Sequence, residues 1–135
     1  MRKTIVVVSA VIVNEKYQFL LTKRVDTDNF NGKWQLPGGE VEFAEIPEEA
    51  LKREVKEELG VEIKIKKLIP KVYSEVHGDY HLIFLVYLCQ LKSLNERIIL
   101  NEEASDYDWF TYQQIKKLPL LSKVKDIIFQ VVLDK

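Results

Sequence analysis

The 135-residue chain has little of what staples or punctuates a small fold. Its one cysteine, Cys89, leaves no intrachain disulfide to form. Within the apolar run Leu82–Leu91 that thiol reads as a small buried hydrophobe. Five glycines and four prolines are scattered, with no repeat, low-complexity tract or linker. No segment approaches the ~20 apolar residues that a membrane-spanning helix needs. Basic excess is missing as well. With 20 Lys and Arg against 21 Asp and Glu, the net charge of −1 argues against a broad grip on a nucleic acid polymer, although a local basic patch stays open. What remains is ordinary: 47% hydrophobic and 30% charged residues, over a length that suits one domain spanning 1–135.

Met1-Arg2-Lys3-Thr4 followed by Ile5–Val13 has the look of a secretory leader. The stronger reading is a strand, because the run is mostly Val and Ile, ends at a turn-prone Asn14-Glu15 and is followed by a second strand-like run. A soluble, cytoplasmic protein is expected.

Tyr17–Arg24 reads as that second strand, forming a hairpin with Ile5–Val13 through a turn at Asn14–Lys16. Val25–Lys33 is a polar loop and Trp34–Leu36 a short strand ahead of Pro37-Gly38-Gly39. Pro47–Leu59 reads as a helix, with proline in its first turn and Gly60 as its stop. Val61–Leu68 alternates apolar and charged residues, Tyr80–Leu91 is a long apolar strand, and the polar stretch after it leaves room for a short strand at Arg97–Leu100. Trp109–Tyr112 resumes extended structure, His77 beside Gly78-Asp79 belongs to a hairpin turn, and Leu121–Leu133 is an amphipathic helix. Strands, helix, strands, helix predicts an α+β fold, a mixed sheet between helices.

The chemistry lies on the first helix. Taking Glu54 as zero, Glu57 falls at about −60° and Glu58 at about +40°, while Leu51, Val55 and Leu59 form an apolar stripe at about 60° to 140°. Three carboxylates therefore crowd the border of the buried face. Like charges at this spacing repel, and partial burial raises the penalty. Arg53 supplies one cation at i,i+4 from Glu57, which does not balance three anions. Mg²⁺, a hard ion held by a few carboxylates and by substrate phosphates, would. From this helix alone, a solvated acidic face is the blander and more common reading. Pro37-Gly38-Gly39 tips the balance, since it lets backbone approach a ligand closely, and Glu45 lies within reach of the cluster.

Gly39, Glu45, Arg53, Glu54, Val55, Glu57, Glu58, Gly60 and Val61 together fill every defined position of a known pattern. The stretch resembles the Nudix box, in which a Gly is followed by Glu, Arg-Glu, an aliphatic, Glu-Glu, Gly and an aliphatic at fixed spacing. Trp34-Gln35-Leu36-Pro37-Gly38-Gly39, the Lys23-Arg24 strand end and Trp109-Phe110 are similar to the same family, so the resemblance covers most of the chain. It implies an α/β/α sandwich whose catalytic motif is loop–helix–loop. Two positions depart from the family habit: Ala44 stands where a Gly is common, and Ile46 where a Ser or Thr caps the helix. A missing cap costs about 1 kcal/mol, which Glu48 and Glu49 in the first turn partly offset.

The resemblance implies that Glu54, Glu57 and Glu58, with the Gly38 carbonyl, bind Mg²⁺ or Mn²⁺, and that Arg53 and Glu45 support them. Glu103, six residues before Trp109, resembles a family glutamate that binds metal or acts as base; Glu102 and a solvated acidic loop are the alternatives. Arg24 and Gly39 are candidates for substrate phosphate, and Phe30, Trp34 and Tyr80 for stacking on a base, against the commoner fate of such aromatics as core. The implied activity is metal-dependent hydrolysis of a pyrophosphate bond in a nucleotide, by a monomer or homodimer. A nucleoside triphosphate is slightly favoured over a nucleotide sugar, ADP-ribose or dinucleoside polyphosphate. A non-catalytic Nudix-fold binding module and an unrelated acidic interaction domain are the readings from other classes.

Overall fold

The computed structural model describes residues 1–25 and 31–134. In chain order the elements are β1 (Lys3–Ile12), β2 (Phe19–Arg24), β3 (Trp34–Gln35), β4 (Gly38–Glu40), α1 (Pro47–Leu59), β5 (Ile63–Leu68), β6 (Tyr73–His77), β7 (Tyr80–Leu91), β8 (Ala104–Phe110), α2 (Tyr112–Ile115) and α3 (Val124–Leu133).

β7 organises the main sheet. Tyr80–Cys89 of it runs parallel to the whole of β1, and on its other edge β5 and β6 pair antiparallel with its two halves. β4 closes the far edge, antiparallel to β1, giving the order β4-β1-β7-β5 with β6 on β7. Alternation along β1 then sorts the core into two layers. Val8, Ala10 and Ile12 face α1 and pack with Leu51, Val55 and Leu59. Val11 faces the opposite way, with Val86, Tyr73 and the α3 residues Val124, Ile127, Ile128 and Val131. The mixed sheet thus lies between helices, as the sequence pattern predicts. Each fully buried aliphatic side chain contributes about 1.5–3 kcal/mol to holding the layers together.

The expected hairpin is corrected. Only one bridge, Val13↔Phe19, joins the strands at the turn. Beyond it the chains part, and β2 enters a second, three-stranded antiparallel sheet of order β3-β2-β8. Both runs are apolar because both feed the same two core layers, Leu20 joining Val8, Ala10 and Ile12 in one and Phe19 and Leu21 joining Val11 in the other, so periodicity does not reveal that they part. Five further elements differ. β6 and β4 are strands the sequence reading passed over. β8 starts at Ala104 rather than Trp109, Arg97–Leu100 forms no strand, and Leu121–Lys123 precedes α3. The short helix α2 has a full capping box between Thr111 and Gln114.

Candidate active site

α1 is bounded as read, and its ends show how. Ile46 gives no side-chain cap, Pro47 occupies the first turn, and Gly60 ends the helix in the left-handed conformation at φ 69°. The Tyr87 hydroxyl on β7 donates to Glu48 Oε2 at 3.0 Å, tying the uncapped first turn to the sheet. Ala44, the departure from the family habit, sits at φ 66°, a conformation that favours glycine.

Arg53 is the hub of the acidic face. Its Nε and Nη2 donate to Glu45 Oε2 and Oε1 at 2.8 and 3.0 Å, and Nη2 also donates to the Glu40 carbonyl at 3.1 Å. Nη1 donates to Glu54 Oε1 at 2.9 Å and more loosely to Glu57 Oε2 at 3.4 Å. The guanidinium thus fastens the incoming loop to the helix and aims Glu54. Its hydrogen bonds hold the Glu45 carboxyl down to about 2. Burial pushes the Glu54 carboxyl up, against Arg53 and with the charges of Glu57 and Glu103.

Glu58 turns the other way, accepting from the Gly38 N–H at 3.0 Å. The ladder explains that contact. Ala10 N–H donates to the Pro37 carbonyl and Val41 N–H to the Val6 carbonyl. Gly38, opposite Ser9, is therefore a non-hydrogen-bonded position whose backbone groups point off β1, toward α1. Burial raises the Glu58 carboxyl to about 8; the Gly38 N–H opposes this, and the charges of Glu54, Glu103 and Glu57 add to it. The two glycines are packing requirements. A Cβ on Gly38 would run into the Val8 carbonyl, and one on Gly39 into the Glu54 carboxylate.

The segment after β7 brings in Glu103. Ile99 and Asn101 N–H groups donate to the Leu59 and Glu58 carbonyls at the end of α1, and Val25 N–H donates to the Glu103 carbonyl. A cavity of about 600 Å³ results, lined by Arg24, Val25, Gln35, Gly38, Gly39, Glu40, Glu42, Glu54, Glu58 and Glu103. Of the sequence candidates, Glu54, Glu58, Glu103, Arg24, Gly38 and Gly39 meet there. Glu57 lies on the outer side of Arg53, 56% exposed, and Glu45 stands behind Arg53.

Trp34 is partly buried and packs against the core, its ring edge-on to Phe110 at 4.9 Å and its backbone bonded to Pro119 and Leu121. Tyr80 is exposed at the start of β7 and lines none of the described cavities. Phe30 falls outside the described residues. Gln35 was missed. It accepts from Arg24 Nη1 at 3.3 Å, and strand alternation beside the inward Trp34 was the available signal.

Among the described residues no three acidic, histidine or cysteine side chains close on one point in this conformation. The donor set nonetheless fits a hard divalent cation. Among the described residues, Glu40, Glu42, Glu54, Glu58 and Glu103 share the cavity with one cation, Arg24, and oxygen donors dominate its wall. An anionic phosphate does not enter such a field unless positive charge is added.

A family model of the NUDIX domain matches residues 3–131. The chain belongs to the Nudix hydrolase family. It is 36% identical over 118 residues to a nucleoside triphosphatase NudI of Salmonella agona, covering 81% of this chain and 83% of that protein. A NudI of Klebsiella pneumoniae is 34% identical over 122 residues, covering 84% and 86%. The crystal structure of a MutT protein from Methanosarcina mazei Go1 superposes with a TM-score of 0.86 at 27% identity, covering 98% of this chain and 96% of that one. This Nudix chain is accordingly an enzyme, a pyrophosphohydrolase of nucleotides, from a family that works with divalent metal. None of its described helices is long and apolar enough to cross a membrane.

Proposed function

We propose that this Nudix enzyme hydrolyses a nucleoside triphosphate, with the phosphates in the acidic cavity and the nucleoside in a smaller one beside it. The observation that carries this reading is the junction of the two. Arg24, Gln35, Gly38 and Gly39 line both the 600 Å³ cavity and a neighbouring one of about 300 Å³. The second is floored by Val7, Leu82 and Phe84, apolar surface that suits a base rather than a phosphate. The nucleoside triphosphatase relatives support the same substrate class.

Glu54, Glu57, Glu58 and the Gly38 carbonyl would hold Mg²⁺ or Mn²⁺, which when bound neutralises the phosphates and lowers the pKa of water. Arg24 binds a phosphate oxygen, its guanidinium steadied by Gln35. The Gly39 backbone, free of a side chain, lets the substrate lie close to Glu54. Arg53 holds Glu54 through Oε1, and the carboxylate, set against the Gly39 backbone, accepts the proton of the attacking water. The water oxygen bonds to one phosphorus, the bridging P–O bond breaks, and its electron pair departs with the leaving phosphate fragment. Glu103, on the cavity wall, orients the same water or the departing fragment.

A screen of nucleoside triphosphates, nucleotide sugars, ADP-ribose and dinucleoside polyphosphates with Mg²⁺ tests the reading. Triphosphates are expected to be turned over fastest. A higher kcat/KM for any other class would replace that substrate assignment.

A further inference from the structure

The smaller cavity is lined by one carboxylate, Glu75, among the described residues, with Arg24, His77 and Lys123 elsewhere on its wall. β6 alternates so that Tyr73 is buried toward α3 while Glu75, two residues on, faces the same side at the cavity. The Glu75 side chain is only 17% exposed. Its two oxygens are held from two directions: the Ser122 hydroxyl, in the turn before α3, donates to Oε2 at 2.7 Å, and His77 Nε2 lies 3.2 Å from Oε1. A carboxylate set against Leu82 and Phe84 is unfavourable unless its lone pairs are met. Each oxygen accepts about two hydrogen bonds, so each retains acceptor capacity beyond its present contact.

The geometry points to Glu75 as the group that selects the nucleobase, and to guanine as the base it selects; this rests on the nucleotide reading above. Two adjacent oxygens require two adjacent N–H donors. Guanine alone among the common bases presents them, at N1–H and the 2-amino group. Adenine and cytosine place a ring acceptor beside their amino group, and uracil and thymine flank N3–H with carbonyls. Each of those edges sets an acceptor against a Glu75 oxygen, leaving a poorly hydrated polar atom unpaired. Ser122 and His77 hold the Glu75 carboxylate in place, and so are positioning residues.

Calorimetric titration of the full chain with GMP, IMP, AMP, CMP and UMP in Mg²⁺ reads this pocket without turnover, because a monophosphate has no pyrophosphate bond to cut. GMP is expected to bind at least about tenfold more tightly than AMP, with IMP, which lacks the 2-amino donor, in between. Glu75→Gln keeps the shape and the Ser122 contact but turns one acceptor into a donor, so the GMP-to-AMP ratio should fall to about one. If that variant fails to fold by circular dichroism, Ser122→Ala takes its place and should reduce the ratio by loosening the carboxylate. Equal binding of GMP and AMP, binding of none of the five, or an unchanged ratio in the variant overturns the inference. A guanine preference without triphosphate hydrolysis would sink the proposed activity and leave Glu75 standing. Hydrolysis of every triphosphate with no guanine preference would do the reverse.

Discussion

Arg53 grips Glu45 through two parallel hydrogen bonds, Nε to Oε2 at 2.8 Å and Nη2 to Oε1 at 3.0 Å, while its remaining nitrogen holds Glu54. Lysine has no such fork. Arg53→Lys should retain the fold and lower kcat by about 10- to 100-fold, with a smaller change in KM, because Glu54 loses its aim. Steady-state kinetics at saturating metal check this; a wild-type kcat would mean that Arg53 does not position Glu54.

The same pair sets an acid limit. The Glu45 carboxyl titrates at about 2 when folded and at its ordinary value near 4.5 when unfolded, so the unfolded chain binds the extra proton first. The stabilisation is fully present above pH ~4.5 and is lost as pH falls toward 2. Glu45→Gln should therefore flatten the stability profile between those values. Urea midpoints at pH 6, 4 and 3 measure it, and a slope identical to that of the wild type would contradict the sign.

Ala44 carries backbone strain that glycine would release. At φ 66°, an L side chain costs roughly 1 kcal/mol. Ala44→Gly, net of the added freedom of the unfolded chain, should stabilise the protein by about 0.5 kcal/mol and leave turnover unchanged. An unchanged or lowered Tm would show the loop to be relaxed around alanine.

Gly38 and Gly39 should respond differently to the same methyl group. At Gly38 the Cβ meets β1 backbone, including Ser9 Cα at 2.9 Å, which does not yield, so Gly38→Ala should destabilise the fold. At Gly39 it meets the Glu54 carboxylate, with Oε1 at 2.7 Å, which rotates away. Gly39→Ala should stay folded and lose about 10- to 100-fold in kcat. Circular dichroism melts beside kinetics separate the two, and matching phenotypes would contradict the assignment.

Much of this site was legible in the sequence because α1 is a local object. Its start, stop, apolar stripe and carboxylate arc follow from 3.6-residue periodicity and end signals within residues 47–60. Family spacing added Glu45 and Glu103, which come from loops. What stayed hidden depends on distant pairing. The parting of β1 and β2 into two sheets turns on a single bridge, Val13↔Phe19. β6, with Ser74, Glu75 and His77 among its five residues, is held by pairing with β7 rather than by its own pattern. Hence Glu75 and Ser122, 47 positions apart, had no shared signal before the fold placed them together.

Glu58 ties stability to metal. Its carboxyl is raised to about 8 by burial, so in metal-free protein its ionisation opposes folding as pH rises from ~4.5 toward 8. In EDTA at pH 8, Glu58→Gln should be more stable than the wild type by about 1–3 kcal/mol, and Mg²⁺ should raise the Tm of the wild type only. A variant less stable in EDTA would show that the ionised Glu58 is already well accommodated.

The most direct test is the rate of nucleoside triphosphate hydrolysis by the wild type in Mg²⁺, in EDTA, and by Glu57→Gln in Mg²⁺. Turnover that vanishes in EDTA and falls at least about 100-fold in the folded variant is the expected result. Equal turnover by Glu57→Gln, or hydrolysis that persists in EDTA, would contradict metal-dependent catalysis by the α1 carboxylates.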